Sequence, residues 1–142
     1  MRKMQEILCG LLLAGALAAQ QPPPGRDPLT ENLFPPDLVM THQRAIGLDD
    51  AQKTFLRAEV LKAQTRFTEL QWQLQDAMES LIGLLKQNTA DEQQVMAQLD
   101  KVLSAEREIK RMQIGLMVRI KNKLTPEQQA RLRQLREESS RR

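Results

Sequence analysis

The stretch that decides the fold is residues 48–87, LDDAQKTFLRAEVLKAQTRFTELQWQLQDAMESLIGLLKQ. It contains no proline, and its single glycine is Gly83. Its apolar residues recur in alternating steps of four and three, which is a heptad seam held for about four heptads. The seam residues are Leu56, Val60, Ala63, Phe67, Leu70, Leu74, Ala77, Leu81 and Leu84. This pattern predicts one long amphipathic helix that pairs with another helix along the seam.

The beginning of this helix is marked by Leu48-Asp49-Asp50-Ala51-Gln52. Asp49 is a good N-cap, and Gln52 stands at the capping-box position three residues later. From there to about residue 87 the helix would be about 60 Å long, at about 1.5 Å per residue. A compact chain of this size has a radius of gyration of about 14 Å. We therefore expect an elongated molecule.

Two further helix starts follow. Thr89 to Glu92 has the form of a capping box with Thr89 as the cap, and Leu124-Thr125-Pro126-Glu127-Gln128 repeats the signal with Thr125 as the cap. Between them runs a second seam, with Glu106 and Gln113 as polar interruptions at the same period. Its apolar members are Val95, Leu99, Val102, Ile109, Leu116 and Ile120. A short basic helix with Leu132 and Leu135 as its apolar contacts completes the chain.

A short helix over Asp37–Ile46, closed by Gly47, is predicted ahead of the long one. The fold class is therefore all-α: a long antiparallel helical hairpin with two short flanking helices, four helices in total. The domain spans residues 35–138, and residues 139–142 form a frayed tail.

The long helix also carries a second apolar set off its seam: Phe55, Leu61, Trp72, Met78, Ile82 and Leu85. A second subunit in a cradle-like dimer or a bound client would cover this set; the alternative is coverage by the flanking helices.

The N-terminus has the features of a secretory signal. A basic start, Met1-Arg2-Lys3, precedes the apolar run ILCGLLLAGALAA at 7–19, which is shorter than the roughly 20 residues that span a bilayer. We predict a signal peptide over 1–19, cleaved after small residues, with an uncleaved anchor as the alternative. Residues 20–34, QQPPPGRDPLTENLF, predict a Pro-rich disordered or extended leader.

Groups for reaction chemistry are scarce after this segment. The only cysteine, Cys9, lies inside the signal, and His42 is the only histidine. Without a nucleophile–base pair or a Gly-rich phosphate loop, no enzyme activity and no cofactor are expected. A metal remains the alternative, because methionines offer soft thioether ligands. Methionines at helical positions are more often core residues, however.

Charge is unevenly distributed along the chain. Residues 20–106 carry 8 Lys/Arg and 13 Asp/Glu, whereas residues 107–142 carry 11 Lys/Arg and 4 Asp/Glu. No aromatic residue lies among these basic residues, so nucleic acid is not the expected partner. A basic surface flecked with apolar residues favours acidic or unfolded polypeptides; the alternative is a solvated face paired with the acidic helix. The candidate client-binding residues are Arg107, Arg111, Arg119, Lys121, Lys123, Trp72, Met78 and Ile82.

The export signal, the all-helical chain and the two Leu-x-x-x-Gln helix starts resemble the Spy/CpxP group of periplasmic proteins, whose mark is an LTxxQ repeat. Leu124, Thr125 and Gln128 match the repeat, whereas the first copy keeps Leu48 and Gln52 with Asp49 in place of threonine. The resemblance covers residues 35–136. It implies a periplasmic, cradle-shaped dimer of long helices that serves as an ATP-independent chaperone, a stress-pathway regulator, or a heavy-metal sensor or resistance protein.

The metal-sensing branch of that group implies a ligand set of its own. It uses a histidine pair one turn apart on the first helix, a carboxylate on the second, and a His/Met pair before the last LTxxQ. Leu116 and Ile120 stand in the last two positions here, and His42 has no histidine one turn away. The remaining candidate ligands are His42, Glu59 and Met112 for a divalent transition metal.

The leading hypothesis is thus an exported helical protein that holds unfolded polypeptides without nucleotide, as a chaperone or envelope-stress factor. The second hypothesis is a periplasmic heavy-metal-binding sensor or resistance protein. A third is a scaffold that pairs with a membrane sensor partner. None of the three requires membrane insertion after the signal is removed.

Overall fold

The computed structural model describes residues 28–142, which form helices and connecting turns with no β-strand in that range. The helices are α1 (Pro28–Glu31), α2 (Pro36–Thr41), α3 (Asp50–Leu85), α4 (Glu92–Lys123) and α5 (Pro126–Ser140). The predicted all-α class and its four helices are confirmed, and α1 is an additional single turn. The predicted signal peptide and the leader up to residue 27 lie outside the described residues.

Helices α3 and α4 pack against each other as the predicted antiparallel hairpin. Near the connecting loop, Gln98 Nε2 donates to the Ala77 carbonyl at 2.9 Å. Toward the other end, Arg119 Nε lies 2.6 Å from Glu59 Oε2. We call the loop end, residues 75–103, the tip, and the opposite end, where α3 begins and α4 ends, the open end.

The seam predicted for α3 is confirmed at its buried positions, which are Leu56, Ala63, Leu70, Ala77 and Leu81. The seam of α4 differs by one residue at two places. Ala105 is buried and Met112 packs on the core, while the predicted seam positions Glu106 and Gln113 are exposed. Both choices keep steps of three or four residues, although the strict alternation of the two steps is lost at 99–105 and 112–120. The helix turns its alanine and methionine inward because carboxylate and amide groups lose hydration when buried.

Two of the three helix starts have the predicted cap. Asp49 and Thr125 each accept a hydrogen bond from the backbone three residues on, and both capping boxes are complete. At α4 the cap is Asp91 rather than the predicted Thr89, because the Asp91 carboxylate directly precedes Glu92 and accepts from the Gln94 N–H at 3.1 Å. Helix α3 ends at Leu85, slightly before the predicted end.

The segment before α3 is less helical than predicted. Helix α2 ends at Thr41, and residues 42–47 form turns instead of continuing the helix to Ile46. Gly47 closes them with φ +66°, a conformation that glycine adopts without steric cost. The turns place Ile46 and Leu48 in the core.

The predicted leader also ends earlier than expected. Leu33 and Phe34 are buried, so the packed part of the chain begins before Pro35. The Arg136 guanidinium carbon lies 5.4 Å from the centroid of the Phe34 ring. The same guanidinium donates to the carbonyls of Glu31, at 2.7 Å, and Leu33. Burial of the phenyl ring and the hydrogen bonds from Arg136 together offset part of the conformational entropy that this segment loses when it is ordered.

The core is concentrated at the open end. There, residues from the 33–48 segment, the hairpin and α5 form one cluster, with Phe34, Val39, Leu56, Ile120 and Leu132 at its centre. A smaller cluster at the tip contains only residues of α3 and α4. At the open end the hairpin is therefore covered by other segments of the chain, whereas the tip consists of α3 and α4 alone. No helix within residues 28–142 has the length and apolar composition to cross a membrane.

Candidate functional site

The two Leu-x-x-x-Gln motifs meet at the open end. Gln52 Nε2 donates to Gln128 Oε1 at 2.7 Å, and Gln128 Nε2 donates back to Gln52 Oε1 at 3.0 Å. Each glutamine Oε1 also accepts from the backbone N–H of its own cap, Asp49 at 3.1 Å and Thr125 at 2.9 Å. One pair of side chains thus closes two capping boxes and joins the beginnings of α3 and α5.

The same pair holds the neighbouring backbone. Gln52 Nε2 donates to the Lys123 carbonyl at 2.9 Å, and Gln128 Nε2 lies 3.3 Å from the Gly47 carbonyl. Leu48 and Leu124, the first residues of the two motifs, are buried beside them. The motif residues therefore fix the open end and leave the tip as the freely projecting part of the hairpin.

The hairpin has two long sides that differ in chemistry. On one side lies a polar groove of about 490 Å³, whose lining includes Gln73, Ser80, Lys101 and Ser104. The opposite side holds a smaller cavity of about 220 Å³, lined by residues that include Gln64, Gln113 and Pro36 of α2. Helix α2 therefore covers this second side near the open end only.

The uncovered part of that second side is apolar. Seven residues make about two helical turns, so Met78 and Leu85 lie on the same face of α3 as Gln64. By the same rule Leu103 and Met96 share a face of α4 with Met117, which lines a neighbouring cavity under α2. Their exposures are 39% for Met78, 43% for Ile82, 56% for Leu85, 49% for Met96 and 45% for Leu103. We call these five residues the tip patch.

A second exposed apolar pair lies on α3. Leu61 is 65% exposed and Trp72 is 68% exposed. Trp72 stands between the seam residues Leu70 and Leu74 and therefore projects away from α4. Phe55, another residue of the predicted off-seam set, is half-buried at the open end with Lys123 Nζ 5.1 Å from its ring centroid.

Of the predicted basic residues, Arg107 lies beside the tip patch, four residues after Leu103, whereas three others lie at the open end. Arg119 is paired with Glu59, Lys121 Nζ donates to the Asn32 carbonyl at 3.0 Å, and Lys123 lies over Phe55. These three side chains hold the open end together. Arg107 and Arg111 are exposed farther along α4, with Arg111 Nε 3.9 Å from Glu108 Oε1. The structure therefore separates Met78 and Ile82 from Arg119, Lys121 and Lys123.

Two of the candidate metal ligands have other contacts in the structure. Glu59 Oε2 is taken up by Arg119, and Met112 packs against the core of the open end. Leu116 and Ile120 are core residues, and no group of three or more His, Cys, Asp and Glu side chains occurs within 28–142.

Two features of the site escaped sequence reasoning. One is the reciprocal glutamine bond, which joins residues 76 positions apart. The other is the set of carboxylates that border the tip patch, Glu79, Glu92 and Asp100. Their spacing of three or four residues from the patch side chains was a readable signal, since such residues are neighbours on a helix surface.

A helical hairpin whose open end is closed by two paired Leu-x-x-x-Gln helix starts defines an LTxxQ-type helical protein of the Spy/CpxP kind. The chain belongs to the heavy-metal resistance family, whose model matches residues 7–131. No curated protein and no solved structure matches it.

Proposed function

We propose that this protein is an exported, ATP-independent chaperone or envelope-stress factor that holds partly unfolded polypeptides on the apolar side of its hairpin. The observation that supports this most is the tip patch, five large apolar side chains that are 39–56% exposed on one side of two adjacent helices. Contiguous exposed apolar surface of this kind is typical of protein-binding sites. The family membership is compatible with it.

The proposal assigns no catalytic role to any residue and requires no cofactor. The tip patch consists of aliphatic and thioether side chains, which offer contact area and adaptable packing but no acid, base or nucleophile. Binding by such a surface is non-directional, so it accepts many unfolded segments.

Light scattering from a chemically denatured test protein, diluted without ATP, tests this function. We expect the full-length gene product, purified after export, to lower the scattering at a few-fold molar excess. Unchanged scattering at every ratio would refute the chaperone role. Export itself is tested by recovery of the shortened chain, without the predicted signal peptide 1–19, from the periplasm of an expressing cell.

The proposal includes a homodimer. Leu61 and Trp72 support it, because large apolar side chains exposed on the back of a long helix are commonly covered by a second copy in helical assemblies. Sedimentation of the wild-type protein should give the dimer mass, and Leu61→Ser combined with Trp72→Ser should give the monomer mass. A monomeric wild-type protein would rule the dimer out.

Heavy-metal resistance is the second candidate function, and the family match favours it. The candidate ligands are His42, Glu59 and Met112, and an ion at Glu59 would compete with Arg119 for the Oε2 atom of that carboxylate. Calorimetric titration with Zn(II), Ni(II), Co(II), Cu(II) and Cu(I) tests it. Micromolar binding that is lost in His42→Ala would place the metal function ahead of the chaperone function.

A further inference from the structure

The tip patch lies in the acidic part of a basic protein. Residues 75–103 carry five acidic side chains against two basic ones, whereas residues 104–142 carry eleven basic side chains against five acidic ones. The chain is therefore polarised along the hairpin, with negative charge at the tip and positive charge toward the open end. A partner that reaches the tip patch meets carboxylates first.

Three of these carboxylates border the patch directly. Glu79 stands three residues before Ile82, and Glu92 stands four residues before Met96. Asp100 stands three residues before Leu103, so each carboxylate is a surface neighbour of a patch residue.

These carboxylates are available to a partner. All three are exposed, and none forms an ion pair within the described part of the chain. Glu79 accepts one bond, from Gln75 Nε2 at 3.2 Å, which leaves its charge uncompensated.

Several basic side chains, by contrast, are bonded within the fold. Arg119 is bonded to Glu59, Lys121 to the Asn32 carbonyl, and Arg136 to carbonyls of the 31–33 segment. They stabilise the open end. At the tip, exposed carboxylates and exposed apolar side chains therefore lie together.

From this arrangement we propose that the tip patch selects polypeptide segments that are both apolar and basic, such as an amphipathic helix with leucine on one face and lysine or arginine on the other. This binding preference does not depend on the proposed chaperone function. Only the description of the bound segments as chaperone clients rests on that function. Met78 and Met96 adapt to side chains of different shape, and the bordering carboxylates attract cations and repel acidic segments. This reverses the expectation of acidic clients drawn from the sequence.

Two synthetic peptides of equal length and pattern test the preference, one of leucine and lysine and the other of leucine and glutamate. Each carries a terminal fluorophore, and its anisotropy is followed as the full-length gene product is added. We expect the lysine peptide to bind roughly tenfold or more tightly than the glutamate peptide. Its affinity should fall as salt rises, because exposed charges are screened.

Variants locate the binding site. Met78→Ser with Ile82→Ser should weaken binding of the lysine peptide by roughly tenfold, through loss of apolar contact. Glu79→Gln with Asp100→Asn should weaken it several-fold and narrow the difference between the two peptides. Val118→Ser, on an exposed apolar residue elsewhere on α4, and Glu137→Gln, on an exposed carboxylate of α5, are the matched controls and should change neither affinity.

Several outcomes would overturn the proposal. Equal or tighter binding of the glutamate peptide would do so, as would lysine-peptide binding that the tip variants leave unchanged. Absence of peptide binding together with self-association that Ile82→Ser abolishes would assign the patch to a second copy instead. Suppressed aggregation without any peptide preference would leave the chaperone function intact and refute only this inference. Selective peptide binding without suppressed aggregation would support this inference and refute the chaperone function.

Discussion

At the residue scale, the feature that organises the molecule is the reciprocal bond between Gln52 and Gln128. Both side chains are buried, and every buried side-chain polar atom of the described residues has a hydrogen-bond partner. Buried amides are tolerated only when they are paired in this way. Because each glutamine also completes a capping box, the loss of one affects two helix beginnings at once.

We predict that Gln52→Ala lowers the free energy of unfolding by about 1–3 kcal/mol, since it leaves buried polar groups of Gln128 and Lys123 without their partner. Urea denaturation followed by circular dichroism measures this change. Gln71→Ala, on an exposed glutamine of the same helix, is the control and should have almost no effect. Equal effects of the two substitutions would contradict the structural role of the pair.

The sequence allows the caps to be predicted but not the pairing. Asp49, Gln52, Thr125 and Gln128 are local signals, because a capping box is formed within four residues. The bond between the two glutamines depends on how α3 and α4 align over their whole length, and single-sequence patterns do not contain that register. For the same reason the ion pair between Arg119 and Glu59 was not predicted.

At the scale of the elements, the seams explain why periodicity predicted the buried face of α3 correctly and was wrong at two positions of α4. The α3 seam contains only apolar residues, so its position is unambiguous. In α4, Ala105 and Glu106 are adjacent, as are Met112 and Gln113, and either member of each pair fits the period. Only burial against α3 distinguishes them.

Substitutions in α4 test this register. Ala105→Glu should lower the free energy of unfolding by about 2 kcal/mol or more, because it places a carboxylate in the seam. Glu106→Ala should change it by less than about 0.5 kcal/mol, as expected for an exposed position. The reverse order in thermal or urea denaturation would show that Glu106 faces α3.

Gly83 gives a prediction for α3. It lies inside the helix, and a Cβ built on it would have no heavy atom within 4 Å. Gly83→Ala should therefore raise the free energy of unfolding by about 0.5–1 kcal/mol, because glycine is the poorer helix former. A rise in the urea midpoint at unchanged slope is the expected result, and a fall would indicate a contact at this position.

At the scale of the whole molecule, the proposed function rests on the contrast between the two ends of the hairpin. The open end contains the main core, the glutamine pair and several bonded basic residues, whereas the tip has a small core and an exposed apolar patch. The fold class was predictable because helix length and period are local properties. The difference between the open end and the tip was not predictable, because it depends on where the segments before α3 and after α4 pack.

The most direct measurement of client binding at the tip compares suppression of aggregation by the wild-type protein and by Met78→Ser/Ile82→Ser, with Val118→Ser as control. All three should have the same helical content, since the changed side chains are exposed. We predict that the wild type and the control suppress light scattering equally and that the tip variant suppresses it far less. Equal suppression by all three proteins would show that polypeptides are held elsewhere on the molecule.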